Sequence, residues 1–156
     1  MCIRDRAITF NTNLQKLSTF AEKLAAINKP SDIILLQGEL GTGKTTFTRF
    51  WINALYQKKK ISPPFSIKSP TFPIMISYNL NDYEVYHYDL YRLTNSKELH
   101  ELDIFENFAQ NITIIEWPEI VMKKLKKERC YIIKFLFKNV STRQIIFNHS
   151  IENINF

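Results

Sequence analysis

The chain has 156 residues, of which 45% are hydrophobic and 13% aromatic, and these fractions exclude a mainly disordered protein. The formal net charge of +6 permits contact with RNA or an acidic partner but does not require it. No apolar run approaches the roughly 18 residues that cross a membrane, and the charged start "MCIRDR" does not resemble a signal peptide. We therefore expect a cytoplasmic protein with one domain over residues 1–156, in which residues 1–6 form a leader that need not be native.

The first half of the chain predicts two strands and two helices. A short strand over Ala7–Phe10 precedes an amphipathic helix over Asn13–Ile27, which Pro30 separates from the next element. The apolar run Asp32–Gln37 predicts a buried strand, and apolar side chains recur at helical spacing over Lys44–Tyr56. A stretch with four of the six prolines then predicts loop or edge structure.

The second half predicts more strands than helices. The aromatic-rich runs "IMISY" and "YEVYHY" flank "NLND" and predict a β-hairpin. We expect a helix over Ser96–Gln110 with Ser96 as a candidate N-cap, and a buried strand over Ile112–Glu116. Pro118 opens another helix in "PEIVMKKLKK". The runs "CYIIKFLF" and "RQIIFNH" predict a final strand pair, in which Cys130 is a small core residue.

These elements together predict an α/β domain, in which helices flank a mostly parallel sheet that carries an antiparallel hairpin. Two isolated cysteines and three histidines without ligand spacing predict neither a disulfide framework nor a zinc site.

All three glycines of the chain lie within six residues, in the stretch "LLQGELGTGKTTFTRF". Glycine serves where the backbone must turn tightly or approach a ligand closely. The stretch matches G-x-x-x-x-G-K-[ST] between a predicted strand and a predicted helix, as a phosphate-binding P-loop does. An ordinary glycine turn before a helix is the alternative. The four fixed positions and their context favour the P-loop.

Each part of such a loop has a chemical role. Backbone N–H groups of the loop and of the helix N-terminus bind phosphate oxygens. The Lys44 ammonium reaches the β- and γ-phosphates, and the Thr45 hydroxyl can ligate Mg²⁺. The predicted nucleotide-binding residues are Gly38, Glu39, Leu40, Gly41, Thr42, Gly43, Lys44, Thr45 and Thr46.

Two apolar strands end in an acid, "VYHYD" at Asp89 and "ITIIE" at Glu116. Ligands of open α/β sheets bind outside the carboxyl ends of the strands, where the P-loop also lies. A P-loop enzyme needs a carboxylate there to hold Mg²⁺ or to orient water, and both residues are candidates for either role. The alternative is that one of them caps the next helix or pairs with Arg92 or a lysine.

The segment "SPTF" lies between the P-loop helix and the hairpin. Its Thr71 resembles the threonine of a switch loop that responds to a γ-phosphate. A proline turn that leads into a strand is the alternative.

Two classes of P-loop protein are disfavoured. A GTPase switch of the form D-x-x-G needs a glycine after Asp89, yet no glycine follows Gly43, and the base-reading N-K-x-D is absent. A small-molecule kinase should carry arginines in a lid, but Arg92, Arg129 and Arg143 do not cluster in the sequence. A compact ATPase remains, with a kinase and a non-catalytic nucleotide-gated binding module as alternatives.

The segments "GELGTGKTTFTR", "SPTF", "YHYDLYRL" and "IEWPE", in this order and spacing, closely resemble the TsaE family. The resemblance covers nearly the whole chain from about Ile8, and the last two segments are more specific than the P-loop. It implies a slow bacterial ATPase of tRNA threonylcarbamoyladenosine synthesis. It also implies a TsaB–TsaD heterodimer as partner, which modifies ANN-decoding tRNA and which ATP hydrolysis resets between turnovers. Direct tRNA contact through the lysine runs "QKKK" and "KKLKK" stays open, with solvated helix ends as the alternative.

The resemblance also implies roles for individual residues. Lys44 would bind the phosphates of ATP, and Thr45 with Glu116 would hold Mg²⁺. Asp89 would be a catalytic or water-orienting acid, and Thr71 would be the switch threonine.

Two further residues and three departures concern the surroundings of the site. Trp117 would be a functional aromatic beside the nucleotide, for which core packing is the alternative, and Arg143 would lie near the nucleotide. Glu39 replaces a commoner aspartate in the loop, which is a mild change. Asp103 stands where the family usually has glycine, which affects the turn after the preceding helix. Leu17 stands where threonine is frequent, which leaves a nucleotide contact there in doubt.

Overall fold

The computed structural model of the protein describes residues 7–70 and 74–151. Strands and helices alternate along much of this part of the chain. The strands are β1 (Ile8–Thr12), β2 (Ile33–Gln37), β3 (Met75–Asn79), β4 (Glu84–Asp89), β5 (Ile112–Glu116), β6 (Cys130–Phe137) and β7 (Arg143–Phe147). The helices are α1 (Leu14–Ile27), α2 (Lys44–Lys59), α3 (Ser96–Glu101) and α4 (Glu119–Met122), and a 3₁₀ turn covers Lys127–Arg129.

These seven strands form one sheet in the order β1-β7-β6-β2-β5-β4-β3. Neighbouring strands are parallel in the centre, from β6 through β2 and β5 to β4. The remaining pairings, of β1 with β7, β7 with β6 and β4 with β3, are antiparallel. The predicted α/β class is confirmed, together with the hairpin and the final strand pair. The parallel strands form the middle of the sheet, and the antiparallel pairings extend it at both edges.

The sheet separates two hydrophobic clusters. On one face α1 and α2 pack against the strands, with Phe47 and Trp51 fully buried. On the other face α3 and α4 contribute Leu99 and Val121 to the second cluster. Alternate residues of β2 enter the two clusters, which explains its continuous apolar sequence, because a strand covered on both faces has no polar side.

The prediction for Ser96–Gln110 was wrong in the extent of the helix. The helix α3 ends at Glu101, and its N-cap is Asn95 rather than Ser96. The Asn95 side chain accepts hydrogen bonds from two backbone N–H groups of the first turn. The backbone of Asp103 has φ +49°, outside the right-handed helical region, and a helix cannot continue through that residue.

The helix predicted from Pro118 is also shorter than expected. The helix α4 ends at Met122, and Pro118 is its N-cap. The next N–H groups, of Lys124 and Leu125, bond to carbonyls three residues back, so the chain tightens into turns before β6 begins. The four lysines of "KKLKK" are exposed.

Three expectations concern the rest of the chain. Cys130 is 1% exposed at the start of β6, as expected of a core residue. The leader over residues 1–6 and the predicted switch residue Thr71 lie outside the described residues. Within residues 7–70 and 74–151, no helix has the length and the apolar character that crossing a membrane requires.

Candidate nucleotide-binding site

The glycine-rich segment joins the carboxyl end of β2 to the N-terminus of α2. The strand β5 lies next to β2, and β4 lies next to β5. The last residues of these two strands, Asp89 and Glu116, are register partners. The structure therefore brings the loop and both predicted acids to one edge of the sheet, where open α/β sheets bind ligands.

Gly38 and Gly43 show why the loop needs glycine. Gly38 has φ +144°, and a Cβ atom there would lie 2.7 Å from the backbone oxygen of Phe135 on β6. That distance is too short for a carbon atom, so β6 packs directly against the backbone of the loop. Gly43 has φ +110° and is the N-cap of α2 without a side-chain cap. The first-turn N–H groups of α2 are therefore suited to bind an anion.

Lys44 points back into the loop. It is 4% exposed, and its Nζ atom donates hydrogen bonds to the backbone oxygens of Gly38 at 2.6 Å and Glu39 at 2.8 Å. Burial lowers the pKa of the Lys44 ammonium, whereas nearby carboxylates, above all that of Glu116, act in the opposite direction. The positive charge is thus held by carbonyl oxygens that phosphate oxygens can replace.

Thr45 and Glu116 form a polar pair at the start of α2. The Thr45 hydroxyl lies 3.1 Å from both carboxylate oxygens of Glu116, which is 2% exposed. The hydroxyl donates to the carboxylate, and its oxygen keeps lone pairs for a cation. Among the described residues, no group of three or more His, Cys, Asp or Glu could hold a metal ion. The donors fit Mg²⁺, which is bound by one or two side chains together with phosphate oxygens and water.

Asp89 makes contacts of a different kind. Its Oδ2 atom accepts a hydrogen bond from the Ser69 hydroxyl at 3.1 Å, and Oδ1 accepts one from the Tyr91 N–H at 3.0 Å. The carboxylate therefore ties the loop that precedes Thr71 to the end of β4. Because Thr71 itself lies outside the described residues, its role as a switch stays a prediction.

Among the cavities that border the loop, two share several lining residues. One has a volume of about 310 Å³, and its lining includes Lys44, Thr45, Asp89 and Glu116. The other has a volume of about 340 Å³ and lies towards α1 and the turn between β6 and β7. They share the lining residues Gly41, Gly43 and Thr46. The first cavity contains the charged side chains of Lys44, Asp89 and Glu116, whereas the second combines the apolar Leu14, Leu17 and Val140 with polar groups and Arg143.

Arg143 and Leu17 line the second cavity. The guanidinium group of Arg143 donates to the backbone oxygens of Asn139 at 3.0 Å and Gly41 at 3.4 Å, and lies 4.7 Å from the centre of the Phe137 ring. It is fixed beside the loop, where the resemblance places it. Leu17 has an apolar side chain, so it cannot make the hydroxyl contact that a threonine at this position could make to a nucleotide.

Trp117 follows β5 directly and lies beside the charged cavity. It has φ +56°, a left-handed conformation that is uncommon for an aromatic residue. Its ring centre is 4.2 Å from Nζ of Lys44 and 4.7 Å from the centre of the Tyr91 ring. Because the ring lines the cavity and is half-buried, the interpretation as core packing does not describe it.

The remaining loop residues differ in exposure. Glu39 and Leu40 are exposed, whereas Thr42 is buried, and its hydroxyl donates to the Glu39 backbone oxygen at 2.7 Å. Thr42 therefore stabilises the loop from within. Thr46 is half-buried between the two cavities.

The sequence interpretation missed His87. Its Nε2 atom lies 2.9 Å from Oε1 of Glu116, and both side chains are buried. A signal was present in "VYHYD", because residues two apart on a strand share a face, which places His87 on the same face as Asp89.

Comparisons with known proteins show the family of this chain. The family model "Threonylcarbamoyl adenosine biosynthesis protein TsaE" matches residues 11–145. The tRNA threonylcarbamoyladenosine biosynthesis protein TsaE of Rickettsia conorii is 37% identical over 136 residues, which are 86% of this chain and 75% of that protein. The protein of the same name from Bacillus subtilis is 34% identical over 122 residues, or 78% of this chain and 72% of that protein.

A solved structure resembles the chain as well. The crystal structure of Bacillus subtilis YdiB superposes with a TM-score of 0.65 and 26% identity, over 95% of this chain and 88% of that chain. Because the family model matches most of its length, this chain belongs to the TsaE family of threonylcarbamoyl adenosine biosynthesis proteins.

Proposed function

We propose that the protein is a Mg²⁺-dependent ATPase of the cytoplasm that acts in the threonylcarbamoyladenosine modification of ANN-decoding tRNA. The contact between Thr45 and Glu116 beside the buried Lys44 carries the proposal. These side chains supply what a P-loop enzyme uses, namely a cation for the phosphates and a hydroxyl and a carboxylate for the metal ion. The names of the curated relatives support the biosynthetic context.

The phosphate end of ATP binds at the loop. Lys44 exchanges its hydrogen bonds to the loop carbonyls for bonds to phosphate oxygens, and the first-turn N–H groups of α2 donate to the same oxygens. Thr45 and Glu116 would hold the metal ion, which would supply positive charge to the phosphates.

Asp89 orients the attacking water or accepts its proton. Ser69 and the Tyr91 N–H each occupy one lone pair of a different carboxylate oxygen, so each oxygen keeps capacity to accept another hydrogen bond. The same contacts fix the orientation of the carboxylate, because both carboxylate oxygens are anchored. Trp117 covers one side of the cavity and limits the access of bulk water to Lys44.

The nucleoside lies in the second cavity. Leu17 and Val140 line it, and Arg143 supplies a positive charge at its border with the loop. These contacts support binding of a flat ring system, while the choice of adenine rests on the family resemblance.

Turnover by the protein alone is slow and is stimulated by the TsaB–TsaD heterodimer, which hydrolysis resets. Among the described residues, no arginine lines the cavity that contains Lys44 and Glu116. Phosphoryl transfer is commonly accelerated by an arginine at the reacting phosphate, and a partner protein often provides it. A site without its own arginine therefore depends on a partner.

Contact with tRNA occurs through that partner. In the run "QKKK", Lys58 donates to the backbone oxygen of Ala26 at 3.1 Å near the end of α1, and Lys59 pairs with Asp82. These lysines serve contacts within the chain, which favours an indirect role in tRNA binding.

ATP hydrolysis with and without cognate TsaB–TsaD tests the proposal. We expect slow turnover alone, marked stimulation by the heterodimer, and loss of at least about 100-fold of the stimulated rate in Lys44→Ala and Glu116→Ala. Lys16→Ala and Glu22→Ala, which replace exposed residues of α1, are the matched controls and should keep the stimulated rate.

Other outcomes point to other functions. Nucleotide binding without any hydrolysis, with or without TsaB–TsaD, would identify a nucleotide-gated binding module. Production of ADP that depends on a small-molecule acceptor would identify a kinase. Full turnover without a partner would contradict the dependence on TsaB–TsaD.

A further inference from the structure

His87 and Glu116 form a buried pair behind the loop. The Nε2 atom of His87 lies 2.9 Å from Oε1 of Glu116, and the two side chains are 0% and 3% exposed. Both oxygens of the same carboxylate lie 3.1 Å from the Thr45 hydroxyl. Glu116 is therefore held between a residue at the nucleotide cavity and a residue in the interior.

The register of the sheet explains this arrangement. His87 on β4 pairs with Ile114 on β5, two residues before the pair of Asp89 with Glu116. Residues two apart on a strand point to the same face, so the side chains of His87, Asp89 and Glu116 all lie on the α2 face. The imidazole lies one step further from the cavity than the carboxylates.

The geometry also assigns the hydrogen of the imidazole. An ionised carboxylate only accepts hydrogen bonds, so Nε2 of His87 carries the hydrogen that bonds to Glu116. The Nδ1 atom is buried and has no hydrogen-bond partner among the described residues. A hydrogen on Nδ1 would leave a buried donor without an acceptor, which is unfavourable. The tautomer with its hydrogen on Nε2 satisfies Glu116 and leaves on Nδ1 only a lone pair without a partner among the described residues.

We propose that His87 is a positioning residue for Glu116, which it fixes for metal binding in the nucleotide complex. Glu116 has a flexible side chain with several rotamers, and Thr45 alone constrains it from one side. The bond from His87 fixes Oε1 and leaves Oε2, which lies 3.1 Å from the Thr45 hydroxyl, to the metal ion that would bind with a nucleotide. The inference rests on the proposed function, because it takes Glu116 to be a ligand of that ion.

The test separates metal binding from nucleotide binding. The affinity for a non-hydrolysable ATP analogue is measured in the presence of Mg²⁺ and again in the presence of EDTA. The ratio of the two affinities is the gain in affinity that the metal ion provides. His87→Leu removes the donor at similar volume and should reduce this gain by about 10-fold or more, as loss of partners behind metal ligands does. The affinity measured in EDTA should stay unchanged.

Two variants control for structural effects. His87→Gln carries an amide N–H at a similar distance from the backbone and should restore the gain to within about 2-fold of wild type, because the donor is kept. Thr113→Val removes a buried hydroxyl that has no hydrogen-bond partner among the described residues, on the neighbouring strand. It should leave the gain unchanged.

A second measurement needs no variant. The ¹⁵N chemical shifts of the His87 ring in the wild-type protein should report a hydrogen on Nε2, and a hydrogen on Nδ1 alone would overturn the inference. An unchanged gain in His87→Leu, or failure of His87→Gln to restore it, would also overturn it while the proposed function stands. If the wild type binds the analogue without any gain from Mg²⁺, the metal assignment in the proposed function falls together with the inference.

Discussion

The Nζ atom of Lys44 lies 4.2 Å from the centre of the Trp117 ring, while it donates to two carbonyl oxygens of the loop. A cation over an aromatic ring gains about 0.5–2 kcal/mol, depending on solvent exposure. The Lys44 ammonium therefore interacts with the Trp117 ring and with the two loop carbonyls at the same time. A bound phosphate changes the surroundings of both residues at once.

The first prediction concerns the fluorescence of Trp117. Addition of Mg²⁺ and ATP should change the emission, because the ammonium moves from the loop carbonyls to the phosphates beside the ring. The other tryptophan, Trp51, is fully buried and donates to Asn28 at 2.8 Å, so its emission should stay constant. Trp117→Phe should abolish the change. A change of equal size in that variant would contradict the prediction.

The second prediction compares Gly38→Ala with Gly41→Ala. A Cβ atom at Gly38 would meet the backbone of Phe135 at 2.7 Å, whereas the nearest atom at Gly41 is 3.9 Å away. Gly41→Ala should lower the free energy of unfolding by about 1 kcal/mol, the cost of positive φ alone. Gly38→Ala should lower it by about 3 kcal/mol or more, because backbone must also shift. Urea unfolding measures both values, and equal losses would show that β6 does not restrict the loop.

The third prediction is that Asp103→Gly stabilises the protein. Asp103 adopts φ +49°, a conformation in which glycine avoids the steric conflict of a side chain. Relief of the left-handed strain, about 1–2 kcal/mol, should exceed the extra entropy of glycine in the unfolded chain, about 0.4–1 kcal/mol, so the free energy of unfolding should rise by about 0.5 kcal/mol. Glu101→Gly, two residues earlier and inside α3, should instead destabilise it by up to about 1 kcal/mol. A loss of stability in Asp103→Gly would mean that the Asp103 side chain contributes more than its backbone costs.

The fourth prediction concerns alkaline pH. Burial raises the pKa of five tyrosines above the ordinary value of 10.0, namely Tyr56, Tyr78, Tyr83, Tyr88 and Tyr131. A raised pKa means that the folded protein binds more protons than the unfolded chain between the two pKa values. Stability is therefore fully present below pH 10.0 and falls as the pH rises through the pKa of the folded state.

Absorbance of tyrosinate at 295 nm, followed together with circular dichroism, tests this prediction. The buried tyrosines should ionise late, with the loss of secondary structure. Ionisation of all tyrosines near the ordinary value while the fold persists would contradict it. Tyr131→Phe is a suitable single variant, and it should weaken the fall in stability with pH.

The elements of the fold that were predicted well are those that the local pattern of residues determines. The runs "IILLQ" and "ITIIE" are strands because both of their faces are buried, which leaves a continuous apolar pattern. The acids Asp89 and Glu116 were expected at one edge of the sheet because each ends a strand, and the structure makes them register partners on parallel strands. The loop was found because its glycines meet steric demands that other residues cannot.

The parts predicted less well depend on contacts distant in sequence. The apolar spacing after Ser96 is helical, but the left-handed backbone at Asp103 ends the helix. In the sequence, His87 has no neighbouring residue that indicates a role, because its partner Glu116 lies 29 positions further along the chain on another strand. No spacing rule links the two before the register of β4 and β5 is known.

The order of the strands brings residues from distant parts of the chain together at the candidate binding site. Thr45 and its partner Glu116 are 71 positions apart, and the wall behind Gly38 comes from Phe135 on β6, still later in the chain. A nascent chain that has emerged only as far as α3 would carry the complete glycine signature without its carboxylate and without that wall. If the proposed function holds, nucleotide binding during synthesis has to wait for the later strands, and the bound nucleotide then stabilises the contact between early and late segments of the chain.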